Sequence, residues 1–451
     1  MNSADKLIAE LKRVLPASFS LRGDPRYAAA ANIWPKNSRR PLAFVHCSTA
    51  EHVRVALSAS LDAGLPVSVR GGGHDWEGRA LCDGVVIDLT PMRRVALKHG
   101  GSAVEVGGGC RGTELFAVTD LIGMAATTAS SGVVGLSGLT LGGGYGPLNA
   151  AFGLACDGLL EAEIVLANGT IVRTNAYNQP DLLWALRGGG GNFGVVTSMK
   201  LALHSVSSVF SGLILYPFSQ ARSVLDNLAD FIAEAPEQLD VQVVMASGPE
   251  GAPVVAIAPT WSGAPNQGDA KIDRLRRLGE PLIENMQHSS YGASRNLFDS
   301  YAVNGRRTFM ATRWVSHIQG ETAAVIAERI ACRPSQDCSI VTHDLRGAAT
   351  RVDPAATAFG FRQRHVMLEI IAQSDEDLGG VSRGELWVRE TANALNPFSF
   401  PGGYANLLAL DERDRALYSF GPNALRLVAT KLQYDPHDVF KSAIPLPFVS
   451  R

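Results

Sequence analysis

Within Val69-Arg70-Gly71-Gly72-Gly73-His74-Asp75-Trp76-Glu77-Gly78, three consecutive glycines interrupt the end of an apolar run, and an imidazole follows at once. The preceding Gly64-Leu65-Pro66-Val67-Ser68 reads as a turn feeding a short strand, so the glycines offer bare backbone where that strand ends. Successive glycine N–H groups can form an anion-binding nest, and Arg70 adds positive charge beside it. The pattern suits a loop that approaches phosphate. Three glycines taken alone also make an ordinary turn, so the rest of the chain has to decide.

The chain has 451 residues, long enough for two domains and a large buried core. With 46% apolar and 19% charged residues it has the composition of a soluble globular protein. Its 41 basic residues against 43 acidic ones leave no excess to neutralise a phosphate polymer, so a nucleic-acid partner is not expected. Residues 1–19 read as an amphipathic helix carrying Asp5, Lys6, Glu10, Lys12 and Arg13, without the apolar core of a secretory signal, and cytoplasmic residence is the expectation. Six cysteines, Cys47, Cys82, Cys110, Cys156, Cys332 and Cys338, lack any Cys-x-x-Cys spacing; neither a metal site nor a disulfide framework is expected. Positions 121–156 hold no charged side chain, yet nine glycines and many Ser and Thr make them a poor membrane helix. The segment is expected to be buried against something else, and no membrane partner is expected.

In order, the chain reads as a strand at 43–46, a helix opened by the capping box Ser48-Thr49-Ala50-Glu51, and a strand ending at Val69. Strands at 84–89 and 103–106 follow. Gly107-Gly108-Gly109-Cys110-Arg111-Gly112 then leads into a helix at 113–121, formally a Gly-x-Gly-x-x-Gly between strand and helix. A dinucleotide fold of that kind also needs an acidic residue about twenty positions on, and none stands between Asp120 and Asp157. A second match at 189–194 has helix before strand, the wrong order, and the two failed matches argue against a nicotinamide enzyme. The strand at 161–166 turns through Asn168-Gly169, of the favoured hairpin type, into its return at 171–174. From about Ser207 the glycine clusters vanish, and strands at 241–246 and 254–261 alternate with helices at 219–235 and 321–331, a sheet backed by helices. The tail carries Tyr404-Ala405-Asn406-Leu407 and a helix from 411 through 427.

Arg70-x-Gly-Gly-His74, the run 131–146, Arg187-Gly-Gly-Gly-Gly-Asn-Phe-Gly-Val-Val196, Tyr404-x-Asn406 and the closing 431–440 together resemble the vanillyl-alcohol-oxidase-type flavoproteins, in their berberine-bridge-enzyme-like branch. The resemblance spans nearly the whole chain. It implies an α+β fold: a two-lobed PCMH-type FAD-binding domain at 1–206 (core about 37–206), a substrate domain of antiparallel sheet backed by helices at 207–400, and a segment at 401–451 returning to the FAD domain. It implies FAD bonded covalently through His74, and no metal. The cofactor-binding residues carried over are Arg70, Gly71, Gly72, Gly73, His74 and Trp76; from the central run Ser131, Gly132, Val134, Gly135, Gly138, Gly142, Gly143, Tyr145 and Gly146; and Val196, Tyr404 and Asn406.

Two departures matter. Many relatives attach the flavin a second time through a cysteine, and Ser131 stands at that position, so no second cysteinyl link is expected. Leu407 stands where carbohydrate oxidases of the branch carry a tyrosine base. An alcohol must lose its O–H proton as hydride leaves carbon, whereas an amine reacts as its neutral form. Glu369, in the strand at 365–371, is the substitute base; Tyr145 and Tyr404 are further catalytic candidates. Period-two geometry leaves open whether Glu369 faces inward or out. Val134 resembles the open form of an oxygen gate. The expectation is an FAD-dependent oxidase acting on a small amine or alcohol, with O2 as acceptor giving H2O2. A secondary-metabolite tailoring flavoenzyme and a non-catalytic flavin-binding protein are the alternatives, and monomer and homodimer both stay open.

Overall fold

The structure, a computed structural model, describes residues 3–374, 382–441 and 443–447. Its first layer follows from four short apolar strands. Ala43–His46, Val85–Asp88 and Val67–Arg70 pair in parallel, with Val85–Asp88 in the middle and every residue of it buried. Parallel sheets need cover on both faces, and the crossover helix Ala50–Asp62 supplies it through Val53, Ala56 and Leu57. The cap of that helix is Thr49, whose hydroxyl accepts the His52 N–H, rather than Ser48; Glu51 turns instead to Arg54. The N-terminal helix is Ser3–Val14, shorter than expected, since Pro16 cannot continue it. Residues beyond it form Phe19–Leu21, antiparallel to Ala43–His46.

The second layer is an antiparallel sheet of five strands in the order Val95–Lys98, Ala103–Gly107, Val195–Ala202, Leu159–Val165, Ile171–Asn175. The hairpin at 166–170 is not a two-residue turn. Asn168 keeps a negative φ, Gly169 alone sits at φ +80°, and the Leu166 N–H reaches the Thr170 carbonyl. The result is a three-residue loop ending on a left-handed glycine. As expected, most of the uncharged segment 121–156 is buried, around helix Leu136–Leu141.

A seven-stranded antiparallel sheet makes the third layer, in the order Ile283–Ser289, Val209–Pro217, Pro253–Trp261, Leu239–Ser247, Cys338–Leu345, His365–Ser374, Arg307–Val315. Alternation sorts its two faces. Val241, Val243, Met245, Ile340, Leu368 and Ile370 bury against helices Ala221–Glu234, Gly268–Arg276, Glu321–Ala331 and Arg383–Leu395. The opposite face looks toward the two glycine-rich layers. The tail crosses back to pack Phe420, Ala424 and Leu427 on the buried helix Pro180–Leu186. It does so as two helices, Arg413–Phe420 and Ala424–Tyr434, not one. Gly421 at φ +50° and Pro422, which lacks an N–H, break the helical ladder between them. Among the described residues no helix is long and apolar enough to cross a membrane.

Candidate active site

One cavity of about 880 Å³ lies where the three layers meet. On one wall are Gly71, Gly72, Gly73, His74, Ser131, Val134, Gly135 and Gly138; on the opposite wall is the open face of the seven-stranded sheet. The glycine wall is built by close backbone approach. A Cβ at Gly72 would lie 2.5 Å from the Gly135 Cα, so two loops abut where neither tolerates a side chain. At Gly138 and Gly191 a Cβ would meet nothing within 4 Å, and both residues face the cavity. Bare backbone is therefore offered to whatever fills the space.

Of the residues read from sequence, Tyr145, Val196, Tyr404, Asn406 and Glu369 also line the cavity. Six others do not. Arg70 turns away, its Nη1 donating to the Asp88 carboxylate at 3.1 Å. Trp76 ties the loop to the tail, its indole N–H donating to the Leu407 carbonyl at 3.0 Å. The Gly132 N–H donates to Asp299 at 3.1 Å. Gly142 leaves room for Asn406, Gly143 for Phe359, and Gly146 for the Thr128 carbonyl. These glycines shape the wall from behind.

His74 stacks on Trp34, ring centroids 4.4 Å apart and planes within 9°. Burial lowers its pKa to about 4, and the Arg111 guanidinium pushes the same way, while Glu369, Asp75 and Asp299 oppose them. At neutral pH the imidazole is uncharged, the form in which a ring nitrogen can bond carbon. Ser131 donates its hydroxyl at 2.5 Å to Asp299, which stands in the short helix Arg295–Tyr301.

Three polar groups share the cavity with His74. Tyr145 donates to His365 Nε2 at 2.6 Å, because His365 Nδ1, 2.7 Å from the Gln363 carbonyl, carries the ring proton. Burial holds His365 down to about 3 and drives the Tyr145 phenol well above its ordinary pKa. The Tyr404 oxygen accepts from the Gly144 N–H at 2.9 Å and the Asn406 amide at 2.8 Å, and burial raises its pKa as well. Both phenols stay protonated. Glu369 points into the cavity, its Oε1 3.2 Å from His343 Nε2, and the His343 ring lies 3.4 Å from the Gln242 amide. Its charge reaches both His74 and Tyr404. Trp34, His343 and Gln242 escaped the sequence reading. The alternation 339, 341, 343 beside 242, 244, 246 was the signal for the last two.

A large flat cofactor fits these residues. The volume lies within the roughly 300–1,000 Å³ of cofactor clefts. Arg79, on the cavity wall, keeps a buried Nη1 without a partner, although its Nε holds Asp75 and its Nη2 the Asn406 carbonyl. A cavity with a bare-backbone wall on one side and a polar-studded sheet on the other is the architecture of a flavin enzyme.

The comparisons with known proteins agree. Residues 41–175 match the FAD binding domain family and residues 403–447 the "Berberine and berberine like" family. The chain is 29% identical to (R)-6-hydroxynicotine oxidase of Paenarthrobacter nicotinovorans, over 93% of this chain and 94% of that one. It is 28% identical to the FAD-linked oxidoreductase aurO of Gibberella zeae, over 93% and 83%. The crystal structure of 6-hydroxy-D-nicotine oxidase from Arthrobacter nicotinovorans superposes with a TM-score of 0.84 at 27% identity, covering 94% of this chain and 96% of that one. BBE-like 1 of Physcomitrella patens shares the fold at a TM-score of 0.86 and 20% identity, covering 98% of each chain. The chain is an FAD-dependent oxidoreductase that carries an FAD binding domain and a C-terminal segment of the berberine-like type.

Proposed function

We propose that this chain is an oxidase that takes a hydride from an amine or alcohol carbon, with O2 as the final acceptor and H2O2 as product. Bound FAD supplies the hydride acceptor and the reduction of O2. His74 would hold it covalently at the 8α-methyl, with Gly71–Gly73 and the run from Ser131 to Gly138 against its chain, and Asn406 beside the ring. Glu369 takes the substrate proton. Gln242 and His343 orient that carboxylate, and Tyr145 and Tyr404 act as protonated walls and donors, not bases. Ser131, engaged by Asp299, provides no second tether, and Val134 leaves the approach of O2 open.

The observation that carries the reading is the opposition of an uncharged His74 and a carboxylate, Glu369, across one cavity. A relative named as an oxidase supports the choice of O2. The test is peroxide release over a panel of amines, sugars and polyphenols. Turnover of amines that falls about 10²–10⁴-fold in Glu369→Gln supports it. Peroxide formation with simple aldoses, unaltered by that substitution, contradicts it.

A further inference from the structure

The cavity extends well past the reacting end. Along the open sheet face its lining falls into rows two residues apart. Glu369 stands beside Val341 and Val244; next come Ile371, Ser339 and Ala246; then Gln373, with Asp337 and Gln336 beside it. Four residues separate Glu369 from Gln373, about 13 Å of strand. The middle rows carry mostly small aliphatic groups, joined by Met310 from the neighbouring strand and Val254 and Ala256 from another. Apart from Glu369 itself, neither of the first two rows bears a charged side chain. The far end is polar again: Arg306 pairs with Asp337 at 3.0 Å and donates to the Gln373 amide oxygen at 3.4 Å.

We infer that the substrate is an elongated molecule with three parts that together span the roughly 13 Å from Glu369 to Gln373: an oxidisable amine or alcohol at Glu369, an apolar body over Val244, Val341 and Ile371, and a terminal uncharged hydrogen-bonding group received by Gln373 and the Arg306–Asp337 pair. A sugar fits poorly, because its hydroxyls would face aliphatic side chains and go unpaired. A charged terminus fits poorly too, since Arg306 and Asp337 cancel each other. The inference rests on the reading of Glu369 as the reacting end.

The test is calorimetric binding of a ladder of ω-aminoalkanols, from about four to about twelve carbons, to the flavin-loaded protein, with the matching methyl-ended amines as controls; affinity is expected to rise by about fourfold per methylene. It should level off once the chain spans the sheet face, and at that length the hydroxyl-ended ligand should bind tighter than the methyl-ended one. Gln373→Leu should reverse that last preference. Flavin bleaching under anaerobic conditions is followed in parallel. Affinity that is flat with length, absent throughout, or unchanged in its terminal preference by Gln373→Leu overturns the inference. A ladder of affinities with no flavin bleaching leaves the extended subsite standing and overturns the oxidase reading instead.

Discussion

Two histidines held neutral by burial give the site its acid sensitivity. The folded chain keeps His365 near 3 and His74 near 4, against 6.5 when exposed. Between those limits the unfolded chain binds more protons than the folded one, so both contributions are complete above about pH 6.5 and are lost as pH falls. Each group steepens the loss by up to about 1.4 kcal/mol per pH unit. Thermal melts from pH 8 down to pH 4 should therefore drop below about pH 6.5, with a shallower drop in His365→Gln, whose amide oxygen can still accept from Tyr145. An identical slope in that variant contradicts the assignment. Removing the other partner tests the same bond: Tyr145→Phe strands His365 Nε2 in the interior and should cost about 1–3 kcal/mol in a urea melt. His365 itself was invisible in the sequence. One imidazole in an apolar strand carries no local mark of the tyrosine 220 positions away that it accepts from.

Glycine acts in two different ways in the wall elements, and substitution separates them. Gly72→Ala places a methyl against the Gly135 backbone, 2.5 Å from its Cα, so both stability and flavin retention should fall. Gly138→Ala meets open space inside helix Leu136–Leu141. The flavin-free protein should gain roughly 0.5–1 kcal/mol there while the methyl enters the cofactor's space and lowers its uptake. Melting temperature and flavin content measured together check both; uptake unchanged in Gly138→Ala would mean that this wall does not touch the cofactor. Most elements were legible from alternation and punctuation: the strand Ala43–His46 and helix Glu321–Ala331 fall where the pattern puts them. Misreadings came where two local signals competed. Thr49 took the cap from Ser48, and the pair Gly421-Pro422 broke a helix whose apolar spacing ran on through it. Glycine dense enough to announce a backbone surface did not say which glycines face the cavity, because that depends on the loop they meet.

At the scale of the whole molecule, the returning tail completes the cavity wall with Tyr404, Asn406, Leu407, Phe440, Ala443 and Ile444. Lys431 is buried, donating to the Asn192 carbonyl at 2.9 Å and to Asp435 at 2.6 Å, while Asp435 accepts the Val439 and Phe440 N–H groups. That knot places Phe440 and Ile444 on the cavity wall. Asp435→Asn leaves the half-exposed Asp438 carboxylate, 3.1 Å away, to offset the buried ammonium and should cost about 1–3 kcal/mol, with faster flavin loss than the melting shift alone explains. Full stability in that variant contradicts the knot's role. The facing of Glu369 shows why the third layer was the hardest to read: its inward face sets Glu369 diagonally from His343 on the neighbouring strand, a relation fixed by register and not by any motif.

The central claim is that His74 bonds the flavin. Protease digestion of the purified protein, followed by mass spectrometry of the peptide containing His74, tests it most directly. The account predicts a peptide heavier by one flavin adenine dinucleotide less the two hydrogens lost in forming the N–C bond, with the added mass on His74 and absent from His74→Ala. An unmodified His74 peptide, with all the flavin released into the acid supernatant, would contradict it.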